Sequence, residues 1–207
     1  MRSQISGAVP GDVGRLSISG ADPGGVPIRI VAAEHDTITD KEVVVFREAG
    51  RYAQTYGLIP PRSGLTAGPH GKPYFSGGGP SFSISHSGDY WVCALYDGPV
   101  GVDVQHHQRC AARSIARRHF HPDEYAWLEA VGFSRFYDLW AARESYVKFT
   151  GSGIDDDFGK ICITEKAPGL FRTGDAWIYL VNFLENYSLS VCCGKAARLE
   201  PEGIRVI

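Results

Sequence analysis

The stretch Phe133–Phe149 constrains the fold more than any other part of this chain. Phe136, Leu139, Trp140, Arg143 and Val147 recur at spacings of three and four, and Gly151-Ser152-Gly153 follows as a stop. That periodicity predicts one long helix with a stripe that needs a partner. Short strand-like runs lie on both sides of it. Ser81–Ser85, Tyr90–Tyr96 and Val100–Gln105 precede it, and Lys160–Thr164, Ala176–Leu184 and Tyr187–Cys193 follow. A helix of this kind between groups of short strands packs on sheets, so the fold class is α+β.

The remaining segments fill in that frame. Residues 1–27 are rich in Gly, Ser and Pro and read as a flexible lead-in, with a short strand at Arg15–Ser19. Ile28–Ala33 reads as a strand. Asp40 is placed to cap a helix that runs to Tyr56 and stops at Gly57. Pro60-Pro61 breaks regular structure, and residues 62–80 read as one long Gly/Pro loop. His86-Ser87-Gly88-Asp89 and Asp97-Gly98-Pro99 read as turns, which makes 81–105 a small antiparallel meander. Helices are expected at Ala111–Phe120 and from Pro122 to about Val131. Tyr90–Ala94 and Tyr187–Cys193 occupy similar places in the order of elements. The chain therefore reads as two pseudo-equivalent halves, 28–98 and 99–207.

Charge and cysteines exclude some functions. A net charge of -2 gives no global attraction to nucleic acid or acidic membranes, so any anion site must be local. No apolar stretch is long enough to span a bilayer, and the N-terminus lacks the apolar run of a signal peptide. The five cysteines include no C-x-x-C pair. Cys93, Cys162, Cys192 and Cys193 fall in strand-like apolar runs, as buried thiols in a reducing cytoplasm would.

Two short runs carry chemistry. In Gly101-Val102-Asp103-Val104-Gln105 the valines face a core, and Asp103 and Gln105 share the other face. Two oxygen donors on one face suit Mg²⁺. Trp140, Glu144 and Lys148 are successive i,i+4 positions and stack on one side of the long helix. A Glu–Lys pair beneath a tryptophan is costly to bury unless each charge has further partners. A metal beside Glu144 and a phosphate beside Lys148 would provide them. Ser85-His86-Ser87-Gly88 adds hydrogen-bond donors for an anion, and Gly71-Lys72-Pro73 adds a cation just upstream. On residue chemistry alone, a Mg²⁺-dependent phosphohydrolase is a further reading.

The ordered set resembles a known family. Gly71-Lys72-Pro73, Phe82–Gly88, Gly101–Gln105, Phe120–Tyr125 and Trp140–Lys148 with Gly151-Ser152-Gly153 together are similar to the 4′-phosphopantetheinyl transferases of the surfactin-synthetase-activating type, over about residues 68–193. The resemblance implies a monomer of two pseudo-twofold-related α/β halves, with coenzyme A in the cleft between them. It implies transfer of the phosphopantetheine arm to a serine of an apo acyl or peptidyl carrier protein, releasing 3′,5′-ADP. Such carriers serve polyketide, non-ribosomal peptide or fatty acid synthases. By position, Asp103, Gln105 and Glu144 would hold Mg²⁺, or Mn²⁺ in its place. Lys148 would contact the phosphates and protonate the leaving group, with Asp103, Glu144 and Lys148 as the catalytic set. Ser85 and His86 would bind phosphate, and Gly71, Lys72 and Pro73 would lie along the adenosine end.

The chain departs from that family at two points. Gln105 is neutral where relatives often carry a second acid. Residues 1–60 hold one lysine, Lys41, where relatives have a basic helical region for the 3′-phosphate, and Arg47 and Arg51 share a helix face that could substitute. These departures frame an alternative, a relative that binds coenzyme A or carrier without transfer. The basic run Arg109, Arg113, Arg117 and Arg118 is the expected docking surface for an acidic carrier helix.

Overall fold

The computed structural model describes residues 25–153 and 158–207, so the expected strand at Arg15–Ser19 and nearly all of the lead-in lie outside the described residues. Strand β1 (Ile28–Glu34) is followed by helix α1 (Lys41–Tyr56). Asp40 caps α1 by accepting from the amides of Glu42 and Val43, and Gly57 ends it at φ 65°. The expected long loop contains a hairpin of β2 (Leu65–Ala67) and β3 (Pro73–Phe75). Gly71, at φ 80°, makes its turn, which explains how strands form among so many Gly and Pro residues.

Next come β4 (Ser81–Ser87), β5 (Tyr90–Tyr96) and β6 (Val100–His106). The β4–β5 turn is Gly88-Asp89 alone, since His86 and Ser87 belong to β4. The expected three-stranded meander does not form. β4 and β5 pair, but β6 leaves them and pairs with β10 (Tyr187–Cys193) in a second sheet. Serine hydroxyls bridge the gap instead. Ser83, Ser85 and Ser87 of β4 accept from the amides of Val102, Val104 and His106 of β6, at 3.0, 3.3 and 3.0 Å. These three alternate residues of β4 thus satisfy backbone donors on the edge of β6 that does not pair with β10.

Helices α2 (Ala112–His119), α3 (Pro122–Ala130) and α4 (Phe136–Thr150) follow. Residues 133–135 lie outside α4 because Phe133 takes a left-handed turn at φ 61°. The last part of the chain holds β7 (Thr164–Ala167), β8 (Leu170–Thr173), β9 (Ala176–Val181) and β11 (Leu199–Val206). The strand expected at Lys160–Thr164 begins only at Thr164, and Cys162 precedes it. Cys93, Cys192 and Cys193 are buried free thiols.

The first sheet has the order β11-β1-β5-β4 and the second β6-β10-β9-β8-β7. The fold is α+β, as expected. One face of each sheet contributes to a shared core that includes Ile30, Val92, Val102 and Val191. Helix α1 covers the other face of the first sheet through Val45, Ala49 and Tyr52. Helices α2–α4 cover the second through Leu128, Phe136 and Leu139. Strand β11, from the segment 99–207, returns to the first sheet beside β1. Buried Arg29 and Glu200 seal that return by an ion pair of 2.9 Å.

Two details set the position of α4. A Cβ on Gly101 would lie 2.0 Å from the carbonyl of Ser145 and 2.4 Å from the amide of Phe149, so only glycine lets β6 press against the helix backbone. Arg143, in the apolar stripe of the helix, is fully buried. It pairs with buried Glu124 and donates to the carbonyls of His119, Phe158 and Ile161. Its guanidinium also lies 4.8 Å from the ring of Phe120 and 4.3 Å from that of Phe158. A buried charge with this many partners ties α4 to the α2–α3 junction.

Candidate active site

The pressed contact of β6 and α4 brings the two sequence runs together. Asp103 points toward α4 and is 2% exposed. Its Oδ1 accepts from Lys148 Nζ at 2.7 Å and from Ser85 Oγ at 2.8 Å, and its Oδ2 accepts from Gln105 Nε2 at 2.7 Å. Lys148 Nζ also donates to Ser85 Oγ, at 2.8 Å. One residue from each of three elements, β4, β6 and α4, thus closes a triangle around a single carboxylate. The serine ladder and Gly101 are what set its size.

Glu144 lies one turn before Lys148 on α4, half-buried. Burial and then the neighbouring Asp103 push its carboxyl above the ordinary range, and Lys148 and Arg143 pull it partly back. Two acids therefore lie beside one lysine, with only Asp103 almost sealed from water. The donor set of the Asp103 and Glu144 carboxylates with the Gln105 amide oxygen fits a hard divalent cation. Gln105 now turns its amide nitrogen to Asp103, so its oxygen would face such a cation only after the amide rotates.

His86 lies on the opposite side of β4 from Ser85 and pairs across the sheet with Trp91. Its imidazole is 5.0 Å from that of His35, whose Nε2 is 2.8 Å from Lys41 Nζ. Burial, Lys41, His35 and Lys148 all hold the His86 pKa below its ordinary value. Lys41 and Lys148 bring two positive charges, with His86, to one pocket. Its volume is about 350 Å³, and Lys41, Ser85, His86, Trp91, Asp103 and Lys148 line it. Lys41 is the first residue of α1, where the helix dipole adds to the positive potential.

Gly71, Lys72 and Pro73 are placed otherwise. Lys72 Nζ donates to the carbonyls of Val100 and Phe149 at 3.0 and 3.3 Å, and burial lowers its pKa. The lysine thus fastens the β2–β3 hairpin to the start of β6 and the end of α4. A cavity of about 530 Å³ lies beside it, lined by His70, Lys72, Pro73, Tyr74, Phe82 and Gly151.

Comparisons with known proteins place the chain in a family. A model of the 4′-phosphopantetheinyl transferase superfamily matches residues 99–192, which include Asp103, Glu144 and Lys148. A 4′-phosphopantetheinyl transferase of Bacillus subtilis is 33% identical over 158 residues, 68% of this chain and 67% of the relative. The chain belongs to the 4′-phosphopantetheinyl transferase superfamily. It is thus placed among enzymes, as its resemblance to the surfactin-synthetase-activating type implied. Other similar proteins are the transferase gsp of Aneurinibacillus migulanus, 39% identical over 35% of this chain and 32% of the relative, and psf-1 of Bacillus pumilus, 31% identical over 58% and 55%. The chain spans only about a third to a half of those two relatives.

Sequence reasoning missed Lys41 and Trp91 as pocket residues, and His35 as their neighbour beside His86. Lys41 was legible as the lone lysine of the N-terminal region, but only the α1 capping geometry turns it toward His86. Arg47 and Arg51 do not substitute for it. Both hold the buried carboxylate of Glu48, at 3.1 and 2.8 Å. In the basic run, Arg113 is tied to Glu129 at 2.7 Å and lies over the ring of Phe133. Arg109 precedes α2 in irregular backbone, while Arg117 and Arg118 remain exposed. No helix among the described residues is long and apolar enough to cross a membrane.

Proposed function

We propose that this chain transfers the 4′-phosphopantetheine arm of coenzyme A to a serine of an apo acyl or peptidyl carrier protein, with Mg²⁺ or Mn²⁺, releasing 3′,5′-ADP. The observation that supports it most is the joining of Asp103, Ser85 and Lys148 beside Glu144 in a pocket that is otherwise positive. A polyanion bound together with a cation would match both signs of charge.

Asp103, Glu144 and Gln105 would hold the metal, which when bound supplies charge neutralisation and Lewis-acid polarisation at the pyrophosphate. Ser85 and Lys148 would bind the pyrophosphate oxygens. Lys41, with His35 and His86, would take the 3′-phosphate at the other end of the pocket. The hairpin at Gly71-Lys72-Pro73 would flank the adenosine, with Lys72 acting as a fastener rather than a free cation. The carrier serine oxygen attacks the phosphorus that bears the pantetheine arm. The bond from that phosphorus to the bridging oxygen breaks, and 3′,5′-ADP leaves with the oxygen. Lys148 donates a hydrogen to that oxygen as negative charge develops on it. Glu144 takes the serine proton, directly or through a water it orients.

We place the carrier at the exposed Arg117 and Arg118 of α2, and the enzyme in the cytoplasm as a monomer serving polyketide, peptide or fatty acid carriers. The two sheets correspond to the two halves of the family fold, with the cleft at β4 and β6. Intact mass spectrometry of an apo carrier incubated with this protein, coenzyme A and Mg²⁺ tests the reading. A phosphopantetheine-sized gain that EDTA abolishes is expected. No gain across several carrier types while coenzyme A still binds would favour the non-transferring relative. Loss of phosphopantetheine to water without a carrier would favour the phosphohydrolase.

A further inference from the structure

Three buried side-chain atoms among the described residues have no hydrogen-bond partner: Glu48 Oε2, Arg143 Nε and Trp91 Nε1. The first two belong to charged groups whose other atoms are well bonded. Trp91 has a single polar atom, and that atom is the orphan. A buried donor without an acceptor is destabilising, so its presence asks for a reason. The residue is 1% exposed and packs with Val45, Ala49 and Phe82 beneath α1, a slot that an all-carbon ring would fill without the penalty.

Trp91 is also a wall of the pocket that holds Lys41, His86, Ser85 and Lys148. An indole N–H donates and cannot accept. Beside two lysines and a histidine, it completes a set of donors that suits a ligand made of acceptors. We infer that Trp91 Nε1 is a binding residue, donating a hydrogen bond to the phosphate monoester of coenzyme A seated between Lys41 and His86. The inference rests on the proposed use of this pocket for coenzyme A. The pyrophosphate, drawn to Lys148 and to a cation that the acids would hold, occupies the other end. The 3′-phosphate is therefore the group that Trp91 meets, and Trp91 helps to distinguish coenzyme A from its 3′-dephospho form.

Trp91→Phe removes the N–H and keeps a ring. Calorimetric titration of the full chain with coenzyme A, in Mg²⁺, should give a Kd roughly ten-fold weaker for the variant, as expected for one hydrogen bond to a charged group. With 3′-dephospho-coenzyme A the two proteins should bind alike. Equal binding of coenzyme A by both proteins overturns the inference and leaves the proposed function standing. Equal weakening toward both nucleotides also overturns it, because the indole then acts through packing. No coenzyme A binding by the wild type overturns the inference and the functional reading together. Should the variant fail to fold, the indole N–H resonance of Trp91 in the wild type, assigned by Phe variants at Trp127, Trp140 and Trp177, serves instead. It should move downfield with coenzyme A and stay in place with the dephospho form, and a resonance unmoved by either overturns the assignment.

Discussion

At the scale of single residues the site is a balance of charge between two acids, Asp103 and Glu144, and one lysine, Lys148. Asp103 is almost sealed from water, and Lys148 supplies the positive charge in contact with it. Removing one partner of a fully buried pair costs about 3–5 kcal/mol. The cost here is smaller, because Lys148 keeps 30% of its side chain in water. Lys148→Met should therefore lower the Tm in EDTA, and Mg²⁺ should raise the Tm of this variant more than that of the wild type, since the metal supplies the missing charge. Turnover should fall about 10²–10³-fold, the usual loss for one stabilising donor. An equal Mg²⁺ effect on both proteins would place the metal away from Asp103. Gln105→Glu tests the same balance from the other side. It replaces an amide that donates to Asp103 by a carboxylate that repels it. The metal-free protein should melt lower, while activity is kept and is reached at lower Mg²⁺ concentration. A variant that stays inactive at every Mg²⁺ concentration would remove Gln105 from the metal site.

At the scale of elements the site depends on how closely β6 meets α4. Gly101 is the point of contact, and an added methyl would overlap the backbone of both Ser145 and Phe149. Backbone cannot step aside as a side chain can, so Gly101→Ala should cost at least the 1–3 kcal/mol of an overpacked core. It should also part Asp103 from Lys148 and abolish turnover. Gly98→Ala is the control, because its methyl would meet only the Tyr96 ring at 3.5 Å. Denaturant melts and transfer rates for the pair check this, and a stable, active Gly101→Ala would show that the close contact is dispensable. The same elements show what was legible in the chain. Asp40, Gly57 and Gly151 mark helix ends through local chemistry, and α1, α3 and β5 fall close to where they were expected. The face of β6 that carries Asp103 followed from alternation alone. Strand β11 was not legible, because Pro201 and Gly203 interrupt its pattern and its partner β1 lies far away in sequence. Lys72 was legible as a cation, but its two carbonyl partners come from distant elements. Local pattern therefore found the groups, and tertiary packing decided which of them were free.

At the scale of the whole molecule, two sheets meet along an edge that serine hydroxyls stitch together, and the candidate site lies on that seam. Ser83, Ser85 and Ser87 each satisfy one amide of β6, yet their surroundings differ. Ser83 is buried within the seam, whereas Ser85 also donates to Asp103 and accepts from Lys148. Stripping either hydroxyl leaves a buried amide without an acceptor, at about 1–3 kcal/mol. The variants should part company in function. Ser83→Ala should lose stability and keep its transfer rate at a temperature where it is folded. Saturating coenzyme A with Mg²⁺ should raise its Tm as much as it raises that of the wild type, because ligand stabilisation depends on affinity and not on the starting stability. Ser85→Ala should lose similar stability, lose turnover, and gain less from the ligand. Thermal melts with and without ligand, together with rates at one temperature, separate the two roles of the ladder. Equal loss of turnover in both variants would mean that the seam itself, rather than the hydroxyl at Asp103, governs the chemistry.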